Sequence, residues 1–174
     1  MDESGLRAQL EQHHPASYGW ALSCCSRHVA EAEDVLQTAY LKILDGRARY
    51  DGRAAFKTWL FSVIRNTAAD ERRRGWLRHL RLAGYQQERA QDVHLPERGA
   101  GLEQTEQART FREALGKLPR RQREVLHLVF YQDMTVEEAA GTMGVSLGSA
   151  RTHYERGKAR LRTLLKHAGP IDHD

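Results

Sequence analysis

The chain has 174 residues, of which 40% are hydrophobic, 7% aromatic and 29% charged, with a formal net charge of +4. That length suits one domain or two small ones, and a modest aliphatic core fits small helical units better than one large sheet. The composition excludes fibrous and low-complexity classes, and the two cysteines, Cys24 and Cys25, are adjacent and give no disulfide framework. The start is polar and does not resemble a secretory signal. No stretch is apolar enough to cross a bilayer, so no membrane insertion and a cytoplasmic location are expected.

Helical periodicity runs through most of the chain. Over residues 32–44, Val35, Leu36, Ala39, Tyr40, Ile43 and Leu44 make one apolar stripe, with Asp34, Gln37, Leu41 and Lys42 on the opposite face. Asp45-Gly46 is a stop signal, followed by a polar segment that includes Gly52. Phe56, Trp59, Leu60, Val63, Ile64 and Thr67 mark a second helical face, expected to run to Arg74 and to break near Gly75. Trp59 is expected in the core. Residues 85–107 carry few large apolar side chains and read as a linker.

A second unit opens with Phe111, Ala114, Leu115 and Leu118 on one face. Pro119 suits the first turn of the next helix, which carries Val125, Leu126, Leu128 and Val129. Thr135 and Glu138 have capping-box spacing. The short helix they open should bury Val136, Ala139, Ala140 and Met143 and end at Gly144, where glycine tolerates positive φ. Ser146 can then cap a long basic helix with Ala150, Tyr154, Leu161, Leu164 and Leu165 inward. This is a helix-turn-helix pattern. It leaves Ser149, Arg151, Thr152, Glu155, Arg156 and Lys158 on or near the exposed side. A helix fits the DNA major groove, where arginine pairs with guanine and glutamate accepts from cytosine. The bland alternative is a helical hairpin with a solvated charged face. The arginines of residues 65–81 are less specific, because such a run is usually a solvated face.

Taken in this order, the pieces resemble the extracytoplasmic-function sigma factors, group IV of the sigma-70 family. Residues 32–42 look like the family's polymerase-docking helix, and residues 56–66 look like its minus-10 reading segment. The Leu118-Pro119 segment with the helix-turn-helix looks like its minus-35 reader. The resemblance implies an all-α protein with region 2 over 5–83, a linker over 84–107 and region 4 over 108–167. It implies an alternative sigma factor, not an enzyme, that binds core RNA polymerase through the β′ clamp and β flap. It also implies recognition of both promoter elements and help in melting the DNA, with the linker entering the polymerase cleft and RNA exit path.

The implied roles fall on positions of this chain. Polymerase contacts would come from Asp34, Gln37, Leu41 and Lys42. The minus-10 strand would meet Tyr50, Asp51, Gly52, Arg53, Asn66, Asp70, Arg73 and Arg74, with capture of an extruded base. The minus-35 duplex would meet Ser149, Arg151, Thr152, His153, Glu155, Arg156 and Lys158. Thr38, Ser146, Tyr154 and Glu155 depart from the residues common in the family. The short tail after His167 suggests that regulation comes from a separate anti-sigma factor. No cofactor is expected. His13, His14, His28 and the cysteines fit no familiar zinc spacing.

A free-standing dimeric helix-turn-helix regulator would need an extra interface element, and none is evident. A recombinase would need a nucleophile or an acidic metal cluster, which the sequence does not offer. An anti-sigma-type interaction protein would not need the basic recognition helix.

Overall fold

The computed structural model describes residues 2–83 and 105–167. The described residues form seven α-helices and no strand, and the chain divides into two compact units, Met1–Glu97 and Arg98–Asp174. Most of the expected linker and the tail after His167 lie outside the described residues.

The first unit packs α1 (Glu3–Cys24), α2 (Val29–Leu44) and α3 (Phe56–Leu82) against one another. Asp2 caps α1 by accepting from the Gly5 amide at 3.1 Å. Trp20, Ala32, Ala39, Leu60, Phe61 and Ile64 are sealed from solvent, and the small alanines let helices approach closely. The Trp20 ring stacks on Phe61 and its indole N–H donates to the Phe61 carbonyl at 2.9 Å. A buried indole needs such a partner, because a stranded donor costs about 1–3 kcal/mol. Arg72 donates to the Cys24 carbonyl at 2.9 Å, tying α3 to the end of α1. Both cysteines are buried and are not joined in a disulfide.

Three expectations need correction here. First, α3 does not break near Gly75; it is continuous from Phe56 to Leu82. A lone glycine costs a helix only about 1 kcal/mol, too little to stop it. Second, the α2 stripe ends early: Ile43 is buried, but Leu44 is 46% exposed and Tyr40 only half-buried. Leu44 is the last residue of α2 and lines a 440 Å³ groove with Arg7, Leu10, Glu11, His14 and Tyr40. Third, Trp59 is half-buried within an aromatic cluster, not sealed in the core.

In the second unit α5 (Arg120–Phe130), α6 (Val136–Met143) and α7 (Leu147–His167) pack together, and α4 (Glu106–Gly116) lies on α7. The core holds Leu115, Leu118, Val125, Leu126, Leu128, Ala139, Ala140, Met143, Ala150 and Leu161. Tyr154, Leu164 and Leu165, expected inward, are half-buried. Glu124 is 1% exposed and accepts from Arg120 at 3.0 Å, so its buried charge has a partner. Gly157 is buried where α7 crosses α5. A Cβ there would stand 3.1 Å from Leu126 Cδ1 and 3.3 Å from Gln122 Cβ.

Candidate nucleic-acid and polymerase interfaces

On α2, Asp34 and Gln37 are exposed and Leu41 is 49% exposed, forming one outward face. Lys42 differs from that expectation. It is half-buried and donates to Thr67 Oγ1 at 3.2 Å and to Asp70 at 3.4 Å, both on α3. Lys42 and Asp70, expected in separate sites, are therefore partners that join two helices.

The loop between α2 and α3 is built by local chemistry. Gly46, at φ +70°, lets the chain leave α2, and the Ala48 amide returns to the Lys42 carbonyl at 2.8 Å. Gly52 takes φ +76° with open space around it, so the requirement there is conformational. Asp51 accepts from the Arg53 amide at 3.1 Å and pairs with the Arg53 guanidinium at 3.3 Å. The Tyr50 hydroxyl donates to the Ala54 carbonyl at 2.6 Å. Its ring meets Phe56 and Trp59, each at 5.3 Å, and His13 of α1 stacks on Phe56 at 5.8 Å. Tyr50 thus serves as the anchor of this loop. Burial, helped by the neighbouring Lys57 charge, holds His13 below the ordinary histidine pKa.

Along α3, Asn66 and Arg73 are exposed, while Arg74 is exposed but paired with Glu71 at 3.0 Å.

The helix-turn-helix has the expected closures. The Thr135 amide donates to Glu138 at 2.8 Å, and the Glu138 amide donates to the Thr135 hydroxyl at 3.1 Å. Gly144 adopts φ +64°, and the Val145 amide reaches the Ala140 carbonyl at 3.1 Å. Ser146 then accepts from the Ser149 amide at 3.1 Å, capping α7.

Ser149, Arg151, Thr152, Glu155 and Arg156 are all exposed over the first turns of α7. The Thr152 hydroxyl donates to the Gly148 carbonyl at 3.0 Å, which commits its hydrogen to its own helix. His153 and Lys158 lie at the margins and are half-buried. Lys158 Nζ sits 3.0 Å from Glu155 and 4.4 Å from the centre of the Tyr154 ring. Tyr154 in turn contacts Phe130 of α5 at 6.3 Å, so the departure from an aliphatic residue gives Lys158 a cation–π seat.

Two features were not foreseen from the sequence. Gly157 sets the α5–α7 spacing, with Leu126 and Gln122 against the place of its missing Cβ. Trp76, Leu77 and Leu80 are exposed on the C-terminal third of α3, within what read as a plain basic run. Among the described residues no group of three or more His, Cys, Asp or Glu side chains is placed to hold a metal ion. Nor is any described helix long and apolar enough to cross a membrane.

Residues 10–78 match the model of sigma-70 region 2, and residues 108–161 match that of sigma-70 region 4. The chain is 33% identical to the ECF RNA polymerase sigma factor SigX of Bacillus subtilis over 79% of its own length and 70% of that protein's. It is 32% identical to the RNA polymerase sigma factor CarQ of Myxococcus xanthus, over 88% of this chain and 85% of that one. Its fold is similar to that of the sigma factor RpoE of Bartonella quintana, solved in complex with the anti-sigma factor NepR. That match has a TM-score of 0.71 at 25% identity and covers 97% of this chain and 99% of that one. CnrH, solved with the cytosolic domain of CnrY, has the same fold at TM-score 0.63 and 21% identity, over 97% of this chain and 92% of that one. With both sigma regions present in order, the chain belongs to the extracytoplasmic-function sigma factors, transcription regulators that serve RNA polymerase at initiation.

Proposed function

We propose that this sigma factor brings core RNA polymerase to promoters by reading the minus-35 element with α7 and the minus-10 element with the α2–α3 loop and α3. The observation that carries the reading is the capped helix-turn-helix whose second helix exposes Ser149, Arg151, Thr152, Glu155 and Arg156 over its first three turns. Arg151 and Arg156 supply guanine and phosphate contacts, and Glu155, tethered by Lys158, supplies an acceptor for cytosine. His153 and Lys158 support these from the margins.

In the first unit, Asp51, Gly52 and Arg53 hold a loop conformation suited to receiving an unstacked base, with Tyr50 as its anchor. Asn66 offers its amide to that base, and Arg73 and Arg74 follow the phosphates. Capture of exposed bases would drive melting, while the polymerase does the phosphodiester chemistry. Asp34, Gln37 and Leu41 form the docking face for the β′ clamp, with Lys42 bracing it from behind. The β flap would meet the second unit. The protein would work in the cytoplasm under a separate anti-sigma factor, as the complexes of RpoE with NepR and of CnrH with CnrY suggest for this fold.

The test is run-off transcription with purified core polymerase on fragments of the source genome, including the region upstream of this gene. Discrete new transcripts should appear with the protein and disappear with Asn66→Ala or Arg151→Ala. Tight binding to duplex DNA without any directed start would instead identify a free-standing regulator.

A further inference from the structure

A carboxylate stands in the middle of the α3 face that carries Asn66 and Arg73. Asn66, Asp70, Arg73 and Arg74 fall at i, i+4, i+7 and i+8, one stripe of the helix. Residues 65–83 contain six arginines and two acids, Asp70 and Glu71. Glu71 pairs with Arg74 of its own helix at 3.0 Å. Asp70 takes its cation from another element, Lys42 of α2, at 3.4 Å.

The Lys42 head is held in place from below. Its side chain is 23% exposed, and its ammonium also donates to Thr67 Oγ1 at 3.2 Å. Thr67 is 1% exposed, so its hydroxyl fixes the ammonium beside Asp70 and limits the freedom that makes most surface ion pairs weak. The pair adds little to the joining of the helices, because the first unit already closes on the sealed side chains of Ala39, Leu60 and Ile64. Its larger consequence is electrostatic. Without Lys42, Asp70 would set a free negative charge between Asn66 and Arg73, where it would repel a phosphate backbone.

We propose that Lys42 is a positioning residue for promoter binding: seated on Thr67, it holds the Asp70 carboxylate and cancels its charge, so that Asn66 and Arg73 meet the DNA strand with no free anion between them. The inference rests on the reading of α3 as the minus-10 face. It assigns Lys42 to that face and not to contact with polymerase.

The experiment uses holoenzyme assembled from the full chain and purified core polymerase. The probe is a labelled single-stranded oligonucleotide carrying the minus-10 region of a promoter found by run-off transcription. Lys42→Met should weaken strand binding about fivefold and reduce the slope of log affinity against log salt by about one. Lys42→Arg should stay within about twofold of the parent. The deciding variant is Lys42→Met with Asp70→Asn, which removes both charges and should restore binding to within about twofold of the parent. A brace would behave in the opposite way, since losing both members cannot repair it. Affinity for core polymerase, measured separately, should not change with Lys42→Met. Where circular dichroism shows that Lys42→Met loses helix, Lys42→Gln takes its place, because its amide can still donate to both partners. A double variant no better than the single one, or a loss of core binding equal to the loss of strand binding, would overturn the proposal. Asn66→Ala separates the two layers. If it loses strand binding while Lys42→Met does not, only the role of Lys42 falls; if it binds as the parent does, the reading of α3 falls with it.

Discussion

At the scale of single residues, most of the side chains expected to meet DNA are held by their neighbours before any DNA arrives. Glu155 is tethered by Lys158, which is itself seated on the Tyr154 ring. Removing that seat frees the carboxylate, so Tyr154→Ala should weaken discrimination at the base pair Glu155 faces. The expected loss is about 1 kcal/mol, within the range for one base contact, read by competition binding with single-base variants of the minus-35 site. Arg151→Ala should cost more, about 1–3 kcal/mol, concentrated at one position. His13 carries a pH prediction. Burial, and then the Lys57 charge, lower its pKa in the folded protein. Above pH 6.5 the residue is neutral in both folded and unfolded chains and carries no penalty. As pH falls below that value, the unfolded chain takes up the proton first, so stability declines until the lower folded pKa is passed. Urea denaturation should therefore show a loss as pH falls below 6.5, and His13→Phe should flatten that part of the curve. An unchanged slope would mean that the His13–Phe56 stack carries no such linkage.

At the scale of elements, α6 is the telling case. It has eight residues, far too few to stand alone, and it is fixed by closures at both ends. Thr135→Ala removes one side of the capping box and should cost about 1 kcal/mol in thermal or chemical unfolding of the second unit. The closures of α6 and the cap of α7 were legible in the sequence because Thr135, Glu138, Gly144 and Ser146 act through local backbone geometry. The crossing of α7 on α5 was not, because a glycine in a basic helix carries no local sign that Leu126 stands 3.1 Å from its missing Cβ. Gly157→Ala gains up to about 1 kcal/mol of helix propensity. It also pushes against a sealed leucine and the stiff Gln122 Cβ, and overpacking costs about 1–3 kcal/mol. The net effect should be destabilising, seen as a lower midpoint for the second unit; a raised midpoint would show that Leu126 can yield. The persistence of α3 past Gly75 was hidden for a related reason. Glycine and a solvated arginine run suggest an end, yet neither outweighs the continuing hydrogen-bond ladder. The pairing of Lys42 with Thr67 and Asp70 was likewise invisible, since it depends on how α2 meets α3.

For the whole molecule, the decisive fact is that two compact units on one chain each carry their own candidate DNA surface. Neither surface is large. A single helix-turn-helix module buries about 600–1,000 Å² on DNA, and the loop with α3 offers only a few side chains. On the proposed function, specificity would come from simultaneous engagement, in which the second contact is made at the effective concentration set by the tether between the units. That gain is geometric, so it vanishes when the two elements move out of reach or out of helical phase. Taking a promoter this protein uses and inserting half a turn of DNA, about 5 base pairs, between the two elements should reduce run-off transcription at least tenfold. Inserting the same length upstream of the minus-35 element should change nothing. The spacer variant should behave like one in which the minus-35 sequence is destroyed, because a surface that cannot be reached contributes no more than a surface that is absent. If transcription survives the insertion while Arg151→Ala still abolishes it, the second unit would be acting through polymerase and not through a tethered contact with DNA.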